Sequence, residues 1–248
     1  MFQRLLLLIK RMRRARQLGL KFRGTRSFSI PPSARINDRH FTLQFPDDLM
    51  AGADIIDVWL DDDYGLEKLK YPINTIVDIG GNVGLFSLMA YRNFPGAKIH
   101  VYEPDPVVLP FLRNNLAQIS HQVTVWSEGV SSRVGRAEMK LFGSSLLGQT
   151  KPSPDGEIPL CPLSEVVTRI GGFIDLLKLD CEGAEWSIFE KPEPFSHVRD
   201  IRMEYHLTDG RTLDDLYEAA DKIGFEVTHL RENNGFGIVF LSNRSAKL

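Results

Sequence analysis

The chain of 248 residues predicts an α/β fold, a doubly wound and mostly parallel sheet with a short N-terminal extension. Three observations carry this expectation. From Tyr71 onward, short β-branched runs alternate with helical patterns. The first run ends in a glycine turn that leads straight into a helix. The last two runs flank a turn and read as a hairpin, adding an antiparallel strand that a two-fold dinucleotide-binding sheet does not need.

Residues 1–34 read as a basic amphipathic arm and a linker. A helix over 3–19 places Leu5, Leu8, Ile9, Met12 and Ala15 on one side, with Arg4, Arg11, Arg14 and Gln17 elsewhere. The linker contains Pro31-Pro32. Residues 35–70 read as a strand and helix cap. Phe41, Leu43 and Phe45 alternate along Arg39–Phe45, and a short helix at Asp54–Leu60 ends in the acidic turn Asp61-Asp62-Asp63-Tyr64-Gly65.

Residues 71–248 hold the main domain. Its expected strands are Thr75–Ile79, Lys98–Tyr102, Gln122–Trp126, Arg136–Phe142, Ile174–Leu179 and Ile201–Tyr205, closed by the hairpin Glu226–Leu230 and Gly237–Leu241. Expected helices run from the glycine turn through Tyr91, over Pro106–Gln118, from near Gly183, and over Leu213–Ile223 behind the cap Thr212. The Gly/Ser/Pro-rich stretch Gly143–Gly156 reads as a loop.

Composition narrows the function classes. Apolar residues make up 43% and charged residues 25%, the balance of a globular chain. The net charge of −2 hides a split. Residues 1–26 hold nine basic side chains and no acidic one, and removing these from the 30 Lys and Arg leaves 21 against 32 Asp and Glu. The remainder therefore carries about −11, which argues against general nucleic-acid binding. Cys161 and Cys181 are too few for a disulfide framework, and no Cys/His spacing suggests zinc. The longest clean apolar run, Leu5–Ile9, is far short of the roughly 20 residues that span a bilayer. A cytoplasmic protein is expected. For residues 1–26 the readings are peripheral contact with an anionic membrane, or packing on the body or on a second subunit.

Four motifs carry chemistry. In Val77-Asp78-Ile79-Gly80-Gly81-Asn82-Val83-Gly84-Leu85-Phe86, a strand enters a glycine turn and a helix whose first N–H groups lack partners. A carboxylate at Asp78 would repel a pyrophosphate but suit a ligand with an amine. In Tyr102-Glu103-Pro104-Asp105-Pro106, an acid at a strand end is placed to accept both hydroxyls of a ribose. The stretch from Asp175 to Glu185 delivers Asp180, Glu182 and Glu185 to one strand end, where they repel one another unless something cationic shares the space, although a solvated helix start accounts for Glu185 as well. Finally, Met203-Glu204-Tyr205-His206 brings Glu204 and His206 to the same edge.

With VDIGGNVGLFSL, VYEPDP, DLLKLDCEGAEWSIF and MEYH in that order, the chain resembles the FkbM-type family of S-adenosylmethionine-dependent methyltransferases over about residues 55–245. The resemblance implies a Rossmann-like, class I methyltransferase fold of seven strands with the last antiparallel. It implies O-methylation of a sugar, glycan or secondary metabolite, with S-adenosylmethionine as cofactor. It also implies that Asp78, Gly80 and Asn82 face the amino-acid part of the cofactor and that Glu103 holds its ribose. Ser127, Glu128 and Gly129 would border the adenine, with Gly84, Phe86, Pro104 and Asp180 completing the cofactor set. Trp126 reads as a stacking partner for the adenine or as a core residue.

Methyl transfer to a hydroxyl needs alignment and a base, and His206, Asp180 and Glu182 are the candidates. Tyr64 and Glu204 are expected at the acceptor, and acceptor choice is expected in Arg39–Tyr64 and Gly143–Gly156. A divalent cation on Asp180 and Glu204 is a minor alternative, and no metal is expected. The partner is a small-molecule or glycan acceptor. Two other classes share features of the layout, a nicotinamide-dependent oxidoreductase and a non-catalytic cofactor-binding scaffold. The GGNVG spacing, Asp78 and the closing hairpin count against the oxidoreductase.

Overall fold

A computed structural model describes residues 2–22, 30–47, 51–142, 144–181 and 183–245, and only the backbone at 2, 3, 51, 140–142 and 144–149. The chain opens with helix α1 (Phe2–Gln17) and the hairpin β1 (Ser33–Ile36) and β2 (Arg39–Thr42), turned at the left-handed Asn37 and Asp38. Helix α2 (Ala51–Asp54) runs into a π-helical segment, Ile55–Asp61, which ends at the left-handed Asp62. Alternation then builds the main sheet through β3 (Thr75–Ile79), α3 (Leu85–Asn93), β4 (Lys98–Tyr102), α4 (Leu109–Leu116) and β5 (Val123–Trp126). Four short strands follow: β6 (Gly129–Ser131), β7 (Gly135–Phe142), β8 (Ser144–Pro152) and β9 (Ile158–Pro162). The chain returns through α5 (Leu163–Ile170), β10 (Ile174–Leu179), α6 (Glu185–Phe189), β11 (Val198–His206) and α7 (Leu213–Lys222), and closes with β12 (Phe225–Asn233) and β13 (Phe236–Asn243).

The main sheet has seven strands in the order β12-β13-β11-β10-β3-β4-β5. Pairing is parallel from β11 to β5, and β13 runs antiparallel to both of its neighbours. The predicted fold class and the antiparallel last strand are therefore present. Both faces of the sheet are covered, which is why β3, β4 and β10 are apolar almost throughout. One core joins α1, the β1–β2 hairpin, the π-helix, α3 and α4. The other joins α5, α6, α7 and the inner face of the hairpin.

Three local expectations need correction. Gly143–Gly156 is not a loop, because β8 pairs antiparallel with β7 over most of it, and β6, β9, β7 and β8 form a second sheet. Backbone pairing needs no apolar alternation, so a Gly/Ser-rich strand leaves no periodic signal. Helix α4 starts at Leu109 instead of Pro106, since the Asp105 carboxylate accepts the Val107 N–H and holds the preceding turn open. The strand at Arg39–Phe45 ends at Thr42. Thr212 caps α7 as expected, in a reciprocal pair with Asp215.

The arm packs on the body. Ala15, Leu18 and Leu20 are buried, Arg11 grips Asp61 through both carboxylate oxygens, and Arg14 reaches Glu67 and the Leu60 carbonyl. No described helix is long and apolar enough to cross a membrane.

Asp175 ties the start of β3 to β10, accepting the N–H groups of Asn74 (2.8 Å) and Thr75 (3.0 Å) and pairing with Arg199 at 3.0 Å. Replacement by alanine removes the acceptor of two partly buried N–H groups and the partner of Arg199. Asp175→Ala is expected to lower stability by about 2–4 kcal/mol in urea denaturation.

Candidate functional site

The carboxyl ends of β3, β4 and β10 meet at the glycine turn, where open α/β sheets place ligands. Gly80 is left-handed at φ +77, and a Cβ there would stand 1.7 Å from the Asp180 carbonyl oxygen. Only glycine lets the turn pass this close to β10. The N–H groups of Gly80 and Gly81 both donate to the Tyr102 carbonyl, fixing the turn against β4.

Glu103 is buried and faces a narrow cleft lined by Gly80, Asn82, Pro104, Glu128, Gly129, Asp180 and Cys181, among others. Its Oε2 accepts the Asn82 N–H at 2.7 Å and its Oε1 the Asp105 N–H at 2.8 Å. Each oxygen keeps a lone pair free for a further donor. Burial pushes its carboxyl up to about 7, against the two backbone N–H groups that favour the charge. Asn82 is left-handed at φ 46, and its Oδ1 is buried without a hydrogen-bond partner. An orphaned buried acceptor beside a cleft is the kind of group a ligand N–H satisfies.

A second, larger cavity of about 780 Å³ adjoins this cleft, with Gly80, Asn82 and Asp180 lining both. Its wall includes Tyr64, Phe86, Lys178, Glu204 and His206. Seven carboxylates line it (Asp54, Asp57, Asp61, Asp63, Asp180, Glu204 and Glu232) against three cations, Arg11, Lys178 and Arg231. Burial, then Asp63 and Asp61, push Asp57 up to about 6. Arg231 forks onto Asp63, joining the closing hairpin to the acidic turn.

Lys178 organises the junction. Its ammonium lies 3.3 Å from Asp78 Oδ1 and 3.2 Å from Asp180 Oδ2, and donates to the Gly80 carbonyl. Burial opposes its charge, but Asp180 and Asp78 outweigh that and raise its pKa. Tyr64 donates to Asp180 Oδ2 at 3.0 Å, and burial followed by Asp180 raises its phenol well above the ordinary value. Tyr64 is therefore a donor and not a base.

The expected site residues thus divide. Gly80, Asn82, Glu103, Pro104, Glu128, Gly129 and Asp180 share the cleft, while Tyr64, Phe86, Glu204, His206 and again Asp180 share the cavity. Asp78 is wholly buried beneath the turn, bonded by Ser87 at 2.7 Å and paired with Lys178, and lines neither space. Gly84 begins α3 and packs toward Leu112 and Leu116. Ser127 accepts from Arg113. Trp126 stacks on Tyr102 under the Arg169 guanidinium, 4.1 Å away, and so belongs to the wall behind the cleft. Glu182 lies outside the described residues. His206 sits between two acids, its Nδ1 3.5 Å from Glu185 and its Nε2 4.0 Å from Glu204. Among the described residues no group of three or more His, Cys, Asp or Glu is arranged to hold a metal ion.

Sequence reasoning passed over Lys178, Arg11, Arg231 and Cys181. Lys178 stood within the quoted motif, and a lysine inside an otherwise apolar central strand was the available signal. Cys181 lines the cleft as a thiol, its pKa raised well above the usual value by burial and then by Glu185. Neither cysteine is in a disulfide.

The Methyltransferase FkbM domain family matches residues 78–236, which include the glycine turn, Glu103, Lys178, Asp180 and His206. The chain belongs to this family. It is 30% identical over 168 residues to methyltransferase sdnD of Sordaria araneosa, covering 52% of this chain and 65% of that protein. It is 26% identical over 178 residues to the 31-O-demethyl-FK506 methyltransferase FkbM of Streptomyces tacrolimicus, covering 56% and 68%. The match thus spans about two thirds of the length of these relatives. Among solved structures it is similar to the precorrin-6y C5,15-methyltransferase of Geobacter metallireducens GS-15, with TM-score 0.47, 15% identity, and 83% of this chain and 94% of that one covered.

Lys178, within the matched residues, is thus the centre of an ion cluster with the buried Asp78 and the partly exposed Asp180, which makes it sensitive to replacement. Lys178→Met strands two carboxylates and is expected to cost roughly 3–5 kcal/mol of stability. Adding Asp78→Asn should recover part of that loss in denaturant titration.

Proposed function

We propose that the protein is an S-adenosylmethionine-dependent O-methyltransferase acting on a hydroxyl of a neutral or amine-bearing small molecule, such as a sugar, glycan or secondary metabolite. The observation that carries this reading is the junction of the two spaces at Gly80, Asn82 and Asp180. Family membership supports the reaction class, and one relative is named as a methyltransferase of 31-O-demethyl-FK506.

Glu103 is suited to hold the ribose, because its two oxygens are pinned by backbone N–H groups and still accept. The orphaned Asn82 Oδ1 suits the ammonium of the amino-acid part. One ammonium, Lys178, serves two carboxylates there, so the junction keeps a negative surplus that suits a sulfonium. Bound S-adenosylmethionine supplies an electrophilic methyl group at that sulfonium. Asp180, held by Lys178 and Tyr64, orients groups at the boundary. His206 faces the larger cavity and can take the acceptor's proton, with Glu185 and Glu204 stabilising the imidazolium that results. The seven carboxylates around the cavity disfavour an anionic acceptor.

Radiolabel carried from the methyl group of S-adenosylmethionine into an extract and recovered as a base-stable ether supports this function. Label recovered only as methyl ester or on nitrogen overturns methylation of a hydroxyl. His206→Ala is expected to lower turnover by about 10²–10⁴-fold while S-adenosylhomocysteine affinity stays nearly constant. Unchanged turnover removes His206 as the base.

Glu103 gives a second signature. Because burial holds it near 7, it is partly protonated at pH 6.5, and hydroxyl donors from a ribose favour its ionised form. Binding of S-adenosylhomocysteine should therefore release protons at pH 6.5, seen by calorimetry in buffers of different ionisation enthalpy. Glu103→Gln should abolish the release. For folding the sign is opposite to that of a salt-bridged carboxylate. The raised folded-state pKa makes Glu103 cost stability as pH rises from its unfolded value toward 7, and Glu103→Gln should flatten that slope.

A further inference from the structure

The two faces of α1 have different partners. Arg11, Arg14 and Ala15 turn inward, where Arg11 and Arg14 are spent on Asp61 and Glu67 and Ala15 is buried. Leu5, Leu6, Ile9 and Met12 turn outward, each about half exposed (50–54%), alongside the exposed cations Arg13 and Arg16, while Lys10 reaches back to the Asp61 carbonyl. At 100° per residue these side chains form one apolar strip that passes into a basic patch toward the helix C-terminus. The helix contains no acidic residue.

We propose that this outer face of α1 docks on an anionic lipid surface, with the helix lying in the interfacial plane. A single apolar strip on a cationic helix is the pattern of interfacial amphipathic segments, whose binding combines buried apolar area with attraction to anionic headgroups. Charge complementarity selects this occupant over a second copy of the chain. Two copies meeting through this face would bring together helices that carry only positive charge. The strip is also one helix face four apolar residues long, well below the roughly 800 Å² per partner of a stable interface. Docking leaves the inner contacts intact, so helix packing and lipid contact are not competing roles. Arg11, on the opposite side of the same helix, lines the large cavity, so docking holds that cavity about one helix diameter (~10 Å) from the lipid surface.

The test is co-sedimentation of the full chain with phosphatidylcholine vesicles and with vesicles containing phosphatidylglycerol. Binding is expected on the anionic vesicles and should fall at high salt. Leu5→Glu with Ile9→Glu should abolish it. Arg13→Glu with Arg16→Glu should weaken it by about tenfold or more. All four positions are exposed, so circular dichroism and S-adenosylhomocysteine affinity should match the unaltered protein. Absence of sedimentation, or binding that neither pair of substitutions changes, overturns the proposal. A dimer in light scattering without lipid that Leu5→Glu with Ile9→Glu dissociates would assign the face to a second copy instead.

Discussion

The buried ammonium of Lys178 is the point on which the site is built. Lys178 and Asp78 stand opposite one another on the paired strands β10 and β3. Both are almost wholly removed from solvent. An ion pair so buried gives little net stability, because desolvation of both charges offsets most of their attraction. Its effect is instead on geometry. The same ammonium reaches the Gly80 carbonyl and Asp180, and Asp180 takes the hydroxyl of Tyr64 from the N-terminal cap. Two strand ends, the glycine turn and the cap are thereby set by one charge. A shift of β10 relative to β3 would leave the buried Asp78 carboxylate without its cation.

This arrangement explains which parts of the molecule were legible in the sequence. Strands buried on both faces need unbroken apolar, β-branched runs, and Thr75–Ile79, Lys98–Tyr102 and Ile174–Leu179 were readable to the residue. Strand β8 was not, since it pairs on one side only, with β7, and carries no alternating pattern. The position of Glu103 in the cleft was legible because it stands at the end of a buried strand. Asp78 was expected on the cofactor, and the sequence pattern alone could not show its protein partner. A strand-end carboxylate serves either a ligand or a protein cation, and only the fold shows that Lys178 takes it. Arg11 and Arg231 meet their aspartates across 50 and 168 residues of chain, separations at which no local pattern exists.

The charge split between arm and body also has a structural component. The acidic turn Asp61-Asp62-Asp63 is crowded, and it is met from α1 by Arg11 and Arg14 and from the closing hairpin by Arg231. The first and last parts of the chain thus converge on one turn and wall the larger cavity there. Basic residues that read as a separate module are partly counterions to the body, while Arg13 and Arg16 remain exposed on the outer face of α1.

Within the proposed reaction, the carboxylates around the two spaces do not act alike. Negative charge beside a sulfonium stabilises the reactants more than a transition state in which that charge is dispersing, so it contributes affinity and not rate. Asp180, at the junction, has this character. Positive charge does not vanish as the methyl group moves. It passes to the acceptor oxygen and then, with the proton, to the base. Glu185 and Glu204 flank His206 on its two nitrogens, where the charge arrives. Preorganised charge at the destination lowers the barrier, because it strengthens as the reaction proceeds. In the proposed reaction the acid-rich site would combine two opposed electrostatic effects, and their separation along the path from Asp180 to His206 would let tight binding of a cation coexist with its consumption.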